Sequence, residues 1–240
     1  MSSSPREAQP VWDQPTRLEP APSKMIKICG VTRPEDAELA AALGADLLGL
    51  NFCPASPRAL DPDREPERLA EIVAAAGAVP TVGVFVDAPA DRVEEIAAQA
   101  GLSLVQLHGD ETPETVHRFG RRAIRVFRRE RLPEPAELAL YPEVWGFLFD
   151  VPTRRRPEVP GRQVLYGGTG ETWDYEMLAA LECDRPVLVA GGIRPETARA
   201  ALAASRASGV DICSGIESAP GIKDPERMKR LFEEVRHGTT

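Results

Sequence analysis

A chain of 240 residues, 42% of them hydrophobic, holds enough apolar material for one sizeable core and suits a single domain better than two small ones. A net charge of −8 at pH 7 excludes a generally basic nucleic-acid binder, so an anionic ligand has to be held by local donors. No apolar run approaches the roughly 20 residues that span a bilayer, no secretory leader is readable at the start, and Cys29, Cys53, Cys183 and Cys213 form no CxxC pair, which together point to reduced thiols in a cytoplasmic protein and away from a membrane partner, a disulfide framework or a zinc cage.

Residues 1–24 carry Pro5, Pro10, Pro15, Pro20 and Pro22 among Ser, Gln and Glu, without a hydrophobic period, and predict a disordered tail ahead of one domain at 25–238. Met25 directly precedes the first strand, so an upstream start site is one origin for the tail and a docking role another. From there, short apolar or β-branched runs predict strands over 25–29, 46–52, 80–86, 103–107, 123–127, 144–149, 186–190 and 209–213. Helical patterns fall near 34–43, 64–76, 89–100, 113–119, 174–182, 195–205 and 225–236. Pro133 and Pro135 leave only about 136–141 for the helix between the fifth and sixth strands. Eight βα units predict an α/β fold, a (β/α)8 TIM barrel closed by parallel strands. Thr32, Asp87 and Asp224 each stand shortly before a proline and are expected to cap the helices that follow.

In such barrels the reacting groups sit at the C-terminal ends of the strands, which is where Lys27-Ile28-Cys29-Gly30 places a thiol. With Cys29 facing inward, the two-residue period turns Lys27 inward as well, and Asp211 and Cys213 share one face of the eighth strand, beside the first. A buried charge needs a partner, so Lys27 is expected to pair with Asp211, with Arg125 as a substitute; a structural ion pair is favoured over a direct catalytic role. The same parity points Asn51, Gln106 and Arg125 inward.

The loops after the last two strands carry the phosphate signal. Ala190-Gly191-Gly192 and Asp211-Ile212-Cys213-Ser214-Gly215 each end an apolar strand in residues that let backbone N–H groups approach an anion. A short helical turn at about 215–219 can aim further amides there. A third glycine loop, Gly167-Gly168-Thr169-Gly170, follows the sixth strand in a long connection, the kind of loop that serves as a lid or binding loop.

These segments, with Asn51-Phe52, Ser56-Pro57-Arg58, Gln106-Leu107-His108-Gly109, Asp150, Glu217 and Pro220-Gly221-Ile222-Lys223-Asp224, resemble in order the motifs of the phosphoribosylanthranilate isomerase family, from Met25 to about Val235. The resemblance implies a TIM barrel that catalyses the Amadori rearrangement of N-(5-phosphoribosyl)anthranilate to 1-(2-carboxyphenylamino)-1-deoxyribulose 5-phosphate in tryptophan biosynthesis, with no metal or organic cofactor. That reaction needs one acid to protonate the furanose oxygen and one base to take the C2′ proton. Asp150 at the end of the sixth strand fits the acid and Cys29 the base, as the resemblance also implies. A carboxyl has to be raised from near 4 to hold a proton at neutral pH, and a thiol lowered from near 8.5 to supply thiolate.

Arg58 offers a planar fork suited to the anthranilate carboxylate, the role the resemblance assigns it. His108 either orients substrate or catalytic groups or donates to a backbone carbonyl. Gly168, Gly191, Gly192, Ser214 and Gly215 complete the expected substrate-binding set. Two residues depart from the family pattern: Cys213 stands where serine is usual and Trp173 where phenylalanine is usual. Cys213 reads as a small buried filler, with a second reactive thiol as the alternative, Trp173 as an apolar lid residue, and Arg154-Arg155-Arg156 as a solvated segment, with phosphate steering as the alternative. The alternatives are a sugar-phosphate epimerase, which three histidines without ligand spacing argue against, and a diverged phosphate-binding barrel without isomerase activity that binds ligands or serves as a partner subunit. Monomer and homodimer are both compatible with an Ala-rich exterior.

Overall fold

A computed structural model of the chain describes residues 24–128, 132–150 and 175–236. The order of elements is β1 (Met25–Ile28), α1 (Pro34–Ala42), β2 (Leu47–Asn51), α2 (Pro66–Ala75), β3 (Thr81–Phe85), α3 (Ala90–Gln99), β4 (Leu104–Leu107), α4 (Pro113–His117), β5 (Ala123–Phe127), α5 (Pro135–Leu138), β6 (Gly146–Phe149), a 3-10 turn (Tyr175–Ala180), β7 (Val187–Val189), α6 (Pro195–Ser205) and β8 (Gly209–Ile212). Another 3-10 turn (Ser214–Ile216), a hairpin of β9 (Glu217–Ala219) and β10 (Ile222–Lys223), and α7 (Pro225–Arg236) follow, and a further 3-10 turn (Gly120–Arg122) lies between α4 and β5. Strands β1 to β8 are parallel and form a closed barrel in sequence order, with β1 paired to both β2 and β8. Each lies inside its predicted range. Among the described residues, no helix is long and apolar enough to cross a membrane.

Because a strand turns alternate side chains to opposite faces, the barrel has two apolar compartments. Met25, Leu47, Val82, Leu104, Ile124, Val126, Leu148, Leu188 and Ala190 fill the interior. Their neighbours, such as Ile26, Leu48, Val105 and Val210, face the helix layer and meet Leu69, Ile72, Val93, Ile96 and Leu231. On the last helix, Met228, Leu231, Phe232 and Val235 are buried at i, i+3, i+4 and i+7, one stripe of an amphipathic α7. Full burial of each such side chain stabilises by roughly 1.5–3 kcal/mol, a sum largely offset by chain entropy.

Above this apolar floor the interior becomes polar. Lys27 is fully buried and donates to Asp211 Oδ1 at 2.8 Å, across the β1–β8 pairing, as expected. Gly49 on β2 leaves the space for them: a Cβ there would stand 2.9 Å from Cys29 Sγ and 3.1 Å from Lys27 Nζ.

Four expectations need correction. Arg125 does not point inward. Ile124 and Val126 occupy the interior, so Arg125 faces the helix layer, where it donates to Glu111 Oε2 at 2.9 Å and to the Gly109 carbonyl at 3.0 Å, and stacks near Tyr141 and Phe127. Thr32 and Asp87 do not cap helices. Thr32 Oγ1 donates to the Gly221 carbonyl at 2.5 Å, tying β1's loop to the hairpin turn, and Asp87 Oδ1 accepts from Asp110 N–H at 2.7 Å. Asp224 does cap α7, accepting from the N–H groups of Glu226 and Arg227, both at 3.0 Å. The helical turn expected at 215–219 is shorter and earlier, Ser214–Ile216, because the chain extends into β9 from Glu217. The stretch expected as a helix at 174–182 is a 3-10 turn over Tyr175–Ala180.

Candidate active site

The C-terminal ends of the strands open on a cavity of about 280 Å³. Cys29, Arg58, His108, Asp150, Gly191, Gly192, Ser214 and Gly215 all line it, together with Asn51, Gln106, Asp211 and Cys213. Residues predicted from separate loops thus converge on one space. Gly168, with the rest of its loop, Trp173 and Arg154-Arg155-Arg156, lies outside the described residues, as does the segment before Lys24.

Cys29 directly follows β1, and its N–H donates to the Ile212 carbonyl on β8 at 2.8 Å. The β1–β8 register, which pairs Ile28 with Ile212, brings Cys213 beside Cys29 one residue on. Both thiols are free. The Cys29 thiol is held well below its ordinary range, first by a hydrogen bond from Cys213 and then, against the opposing effect of burial, by the ammonium groups of Lys27 and Lys223. Cys213 is pushed up correspondingly by the same contact and by burial, and keeps its proton. Burial alone would lower Lys27, but the anionic forms of Asp211 and Cys29 outweigh it and raise this lysine above its ordinary value. Asp211, in turn, is pushed up to about 7 by burial and by Cys29, with Lys27 only partly offsetting this.

Across the mouth, Asp150 follows β6 and is buried. Its Oδ2 lies 3.1 Å from His108 Nε2, and His108 Nδ1 lies 2.7 Å from Gln106 Nε2. His108 thus bridges the Gln106 amide and the Asp150 carboxyl through its two ring nitrogens, rather than meeting a backbone carbonyl. Tyr175 stands on the same side; its hydroxyl donates to the Gly191 carbonyl at 2.6 Å, and burial and then Asp150 push it up to about 12.

The glycine loops meet the geometric need for close backbone approach. Gly191 and Gly192 adopt φ of 86° and 64°, in the left-handed region that favours glycine. They turn the chain after β7 so that it faces the Ser214–Ile216 turn after β8, the pairing from which TIM barrels build phosphate sites.

Residues 26–234 match the family described as PRAI, N-(5'phosphoribosyl)anthranilate (PRA) isomerase. The chain belongs to the phosphoribosylanthranilate isomerase family. The protein of Halorhodospira halophila named N-(5'-phosphoribosyl)anthranilate isomerase is 41% identical over 214 residues, 89% of this chain and 97% of that one. The crystal structure of phosphoribosyl anthranilate isomerase from Thermus thermophilus superposes with a TM-score of 0.73 at 37% identity, covering 89% of this chain and 98% of the other. A phosphoribosyl anthranilate isomerase solved in complex with reduced 1-(o-carboxyphenylamino)-1-deoxyribulose 5-phosphate gives a TM-score of 0.71 at 26% identity, covering 89% and 99%.

Sequence reasoning on the isomerase motifs missed what Arg58 touches. Its Nε and Nη2 donate to the two carboxylate oxygens of Glu217 at 2.8 and 2.5 Å, so the planar fork faces a protein carboxylate. Gly30, at φ 67°, makes room for this arm; a Cβ there would lie 2.5 Å from Arg58 Cδ. Glu217 also accepts from Lys223 Nζ at 2.9 Å. The Pro220-Gly221 turn between these two residues is the one local signal for the β9–β10 hairpin that joins them.

Proposed function

We propose that Asp150 and Cys29 are the acid and base by which this isomerase carries out the Amadori rearrangement of N-(5-phosphoribosyl)anthranilate. Asp150 gives a proton to the furanose ring oxygen as the C1′–O bond breaks and the anthranilate nitrogen lone pair forms the C1′=N iminium. The Cys29 thiolate then removes the C2′ proton, and the electron pair of that C–H bond neutralises the iminium to give an enolamine. Tautomerisation moves a proton to C1′ and leaves the ketone at C2′. No net proton is consumed, so an acid and a base on opposite sides of one cavity suffice.

The observation that carries this reading is the placement of the two groups on one cavity. Cys29 is flanked by the ammonium groups of Lys27 and Lys223, which favour its thiolate, and Asp150 is buried at the end of β6 with His108 Nε2 at 3.1 Å. Arg58 is assigned the anthranilate carboxylate through the guanidinium edge that Glu217 leaves open. Gly168, Gly191, Gly192, Ser214 and Gly215 are assigned the phosphate, and His108 the orientation of Asp150. The partner is a phosphorylated small molecule in the cytoplasm, and monomer and homodimer are both compatible with this constellation.

The test is the loss of anthranilate-ring fluorescence when purified protein meets freshly generated N-(5-phosphoribosyl)anthranilate. Rapid loss in the wild type, cut by about 10²-fold or more in Cys29→Ala, is expected for removal of a positioned base. Near wild-type turnover in the variant would take the base role from Cys29.

A further inference from the structure

Lys223 and Glu217 are neither the acid nor the base, yet both are buried at the mouth, at 1% and 7% exposure. Two buried charges that served packing alone would be a poor investment, since apolar residues of similar volume are often at least as stable. The contacts indicate another use.

Lys223 Nζ has three protons and three principal acceptors: the Cys29 carbonyl at 2.5 Å, Glu217 Oε1 at 2.9 Å and the Cys213 carbonyl at 3.3 Å. It therefore grips the backbone of both residues that bear the paired thiols. Glu217 Oε1 accepts from Arg58 Nε at 2.8 Å and from the Gly221 N–H at 3.2 Å, while its Oε2 accepts from Arg58 Nη2 at 2.5 Å. One carboxylate thus joins the loop after β2, the hairpin and the end of β10. Arg58 and Lys223 carry two positive charges and Glu217 one negative, which leaves one surplus positive charge beside Cys29.

We propose that Glu217 and Lys223 are positioning residues of the isomerase: Glu217 aims the free edge of Arg58 into the cavity, and Lys223 fixes the backbone at Cys29 and brings its ammonium group to that end of β1. This rests on the assignment of Cys29 and Arg58 above. The charged and titratable groups around Cys29 are Lys27 on β1, Asp211 on β8 with Cys213 just beyond it, Arg58 after β2, Glu217 on β9 and Lys223 on β10. Against that set, the two substitutions make opposite predictions. Lys223→Met removes a cation and moves the acidic limb of the kcat/KM profile to higher pH, with about tenfold loss at a pH below the limb for each unit moved. Glu217→Gln removes an anion, keeps the shape, and moves the limb the other way or not at all. It also frees Arg58, so KM rises severalfold while kcat is largely retained.

The experiment is the pH profile of kcat and KM for wild type, Lys223→Met, Glu217→Gln, Arg58→Ala and Arg58→Ala/Glu217→Gln, with folding checked by a cooperative melt. Iodoacetamide labelling at Cys29, mapped by mass spectrometry, follows the thiolate without relying on turnover. Support is a raised limb and raised labelling midpoint in Lys223→Met, a KM effect in Glu217→Gln, and no further KM rise when Glu217→Gln is added to Arg58→Ala. If Lys223→Met fails to fold, the isosteric Glu217→Gln and its double variant decide the matter. Folded variants with unmoved limbs and KM overturn the inference while an active wild type keeps the acid–base reading; an inactive wild type sinks that reading instead, with the labelling shift still separating the two.

Discussion

The wall of the mouth that carries Cys29 and the wall that carries Asp150 stand on different strands of one barrel, β1 and β8 against β4 and β6, and hold different side chains. Around Cys29, Lys27, Lys223 and Arg58 are threaded between Asp211 and Glu217, so every anion has a cation within hydrogen-bond reach and the thiol sits in a positive field. Asp150 meets His108, itself held by Gln106, with Tyr175 close by. The difference teaches how one small cavity holds a base and an acid together. Among the described residues, the cations Lys27, Lys223 and Arg58 gather on the side of the thiol, the group that has to be anionic.

The comparison is broken most severely by removing the acid. Asp150→Ala is expected to cut turnover by about 10²–10⁴-fold. Inhibition by inorganic phosphate should stay nearly unchanged, because the glycine loops after β7 and β8 remain. Initial rates with and without phosphate check this, and turnover within a few fold of wild type would remove Asp150 from the chemistry.

Next comes the ion pair beneath the base. Lys27→Met leaves Asp211 buried without its partner and is expected to destabilise the barrel by about 3–5 kcal/mol, whereas Lys27→Met/Asp211→Leu recovers much of that loss. Urea unfolding of the two variants measures it. Equal destabilisation in both would mean that packing, and not the pair, is what Lys27 supplies.

The smallest effect sharpens the same wall through pH. Asp211 is pushed up to about 7 from an ordinary 3.8, so the folded chain holds a proton there that the unfolded chain has already released. Its contribution therefore makes stability fall as pH rises from about 4 to about 7 and is level on either side of that window. Unfolding free energies measured across the window should lose this component in Asp211→Asn; an unchanged slope would show that another group supplies it.

Sequence and structure agree most closely where a local period carries the information. The eight strand ranges, the inward turn of Lys27 and Cys29, and the pairing of Lys27 with Asp211 follow from alternation and closure. Arg125 shows where that reasoning runs out. A parallel strand covered on both faces is apolar on both, so Ile124, Val126 and Phe127 give no phase, and only the barrel's register shows that Arg125 faces Glu111 and Tyr141. Thr32 and Asp87 were legible as capping residues by type, but distant loops supply stronger partners for their side chains, Gly221 and Asp110.

The sequence by itself determined the periodic scaffold, the order of the motifs and therefore the family, because strand alternation and short glycine-bearing motifs are local properties of the chain. The tertiary structure decided which charges meet. Arg58 and Glu217 are 159 residues apart, and Lys223 reaches back 194 residues to the Cys29 carbonyl. Nothing in either neighbourhood encodes those pairings. They exist because closing the barrel brings β8, and the hairpin after it, alongside β1, and a buried charge at that seam is stable only with a partner of opposite sign.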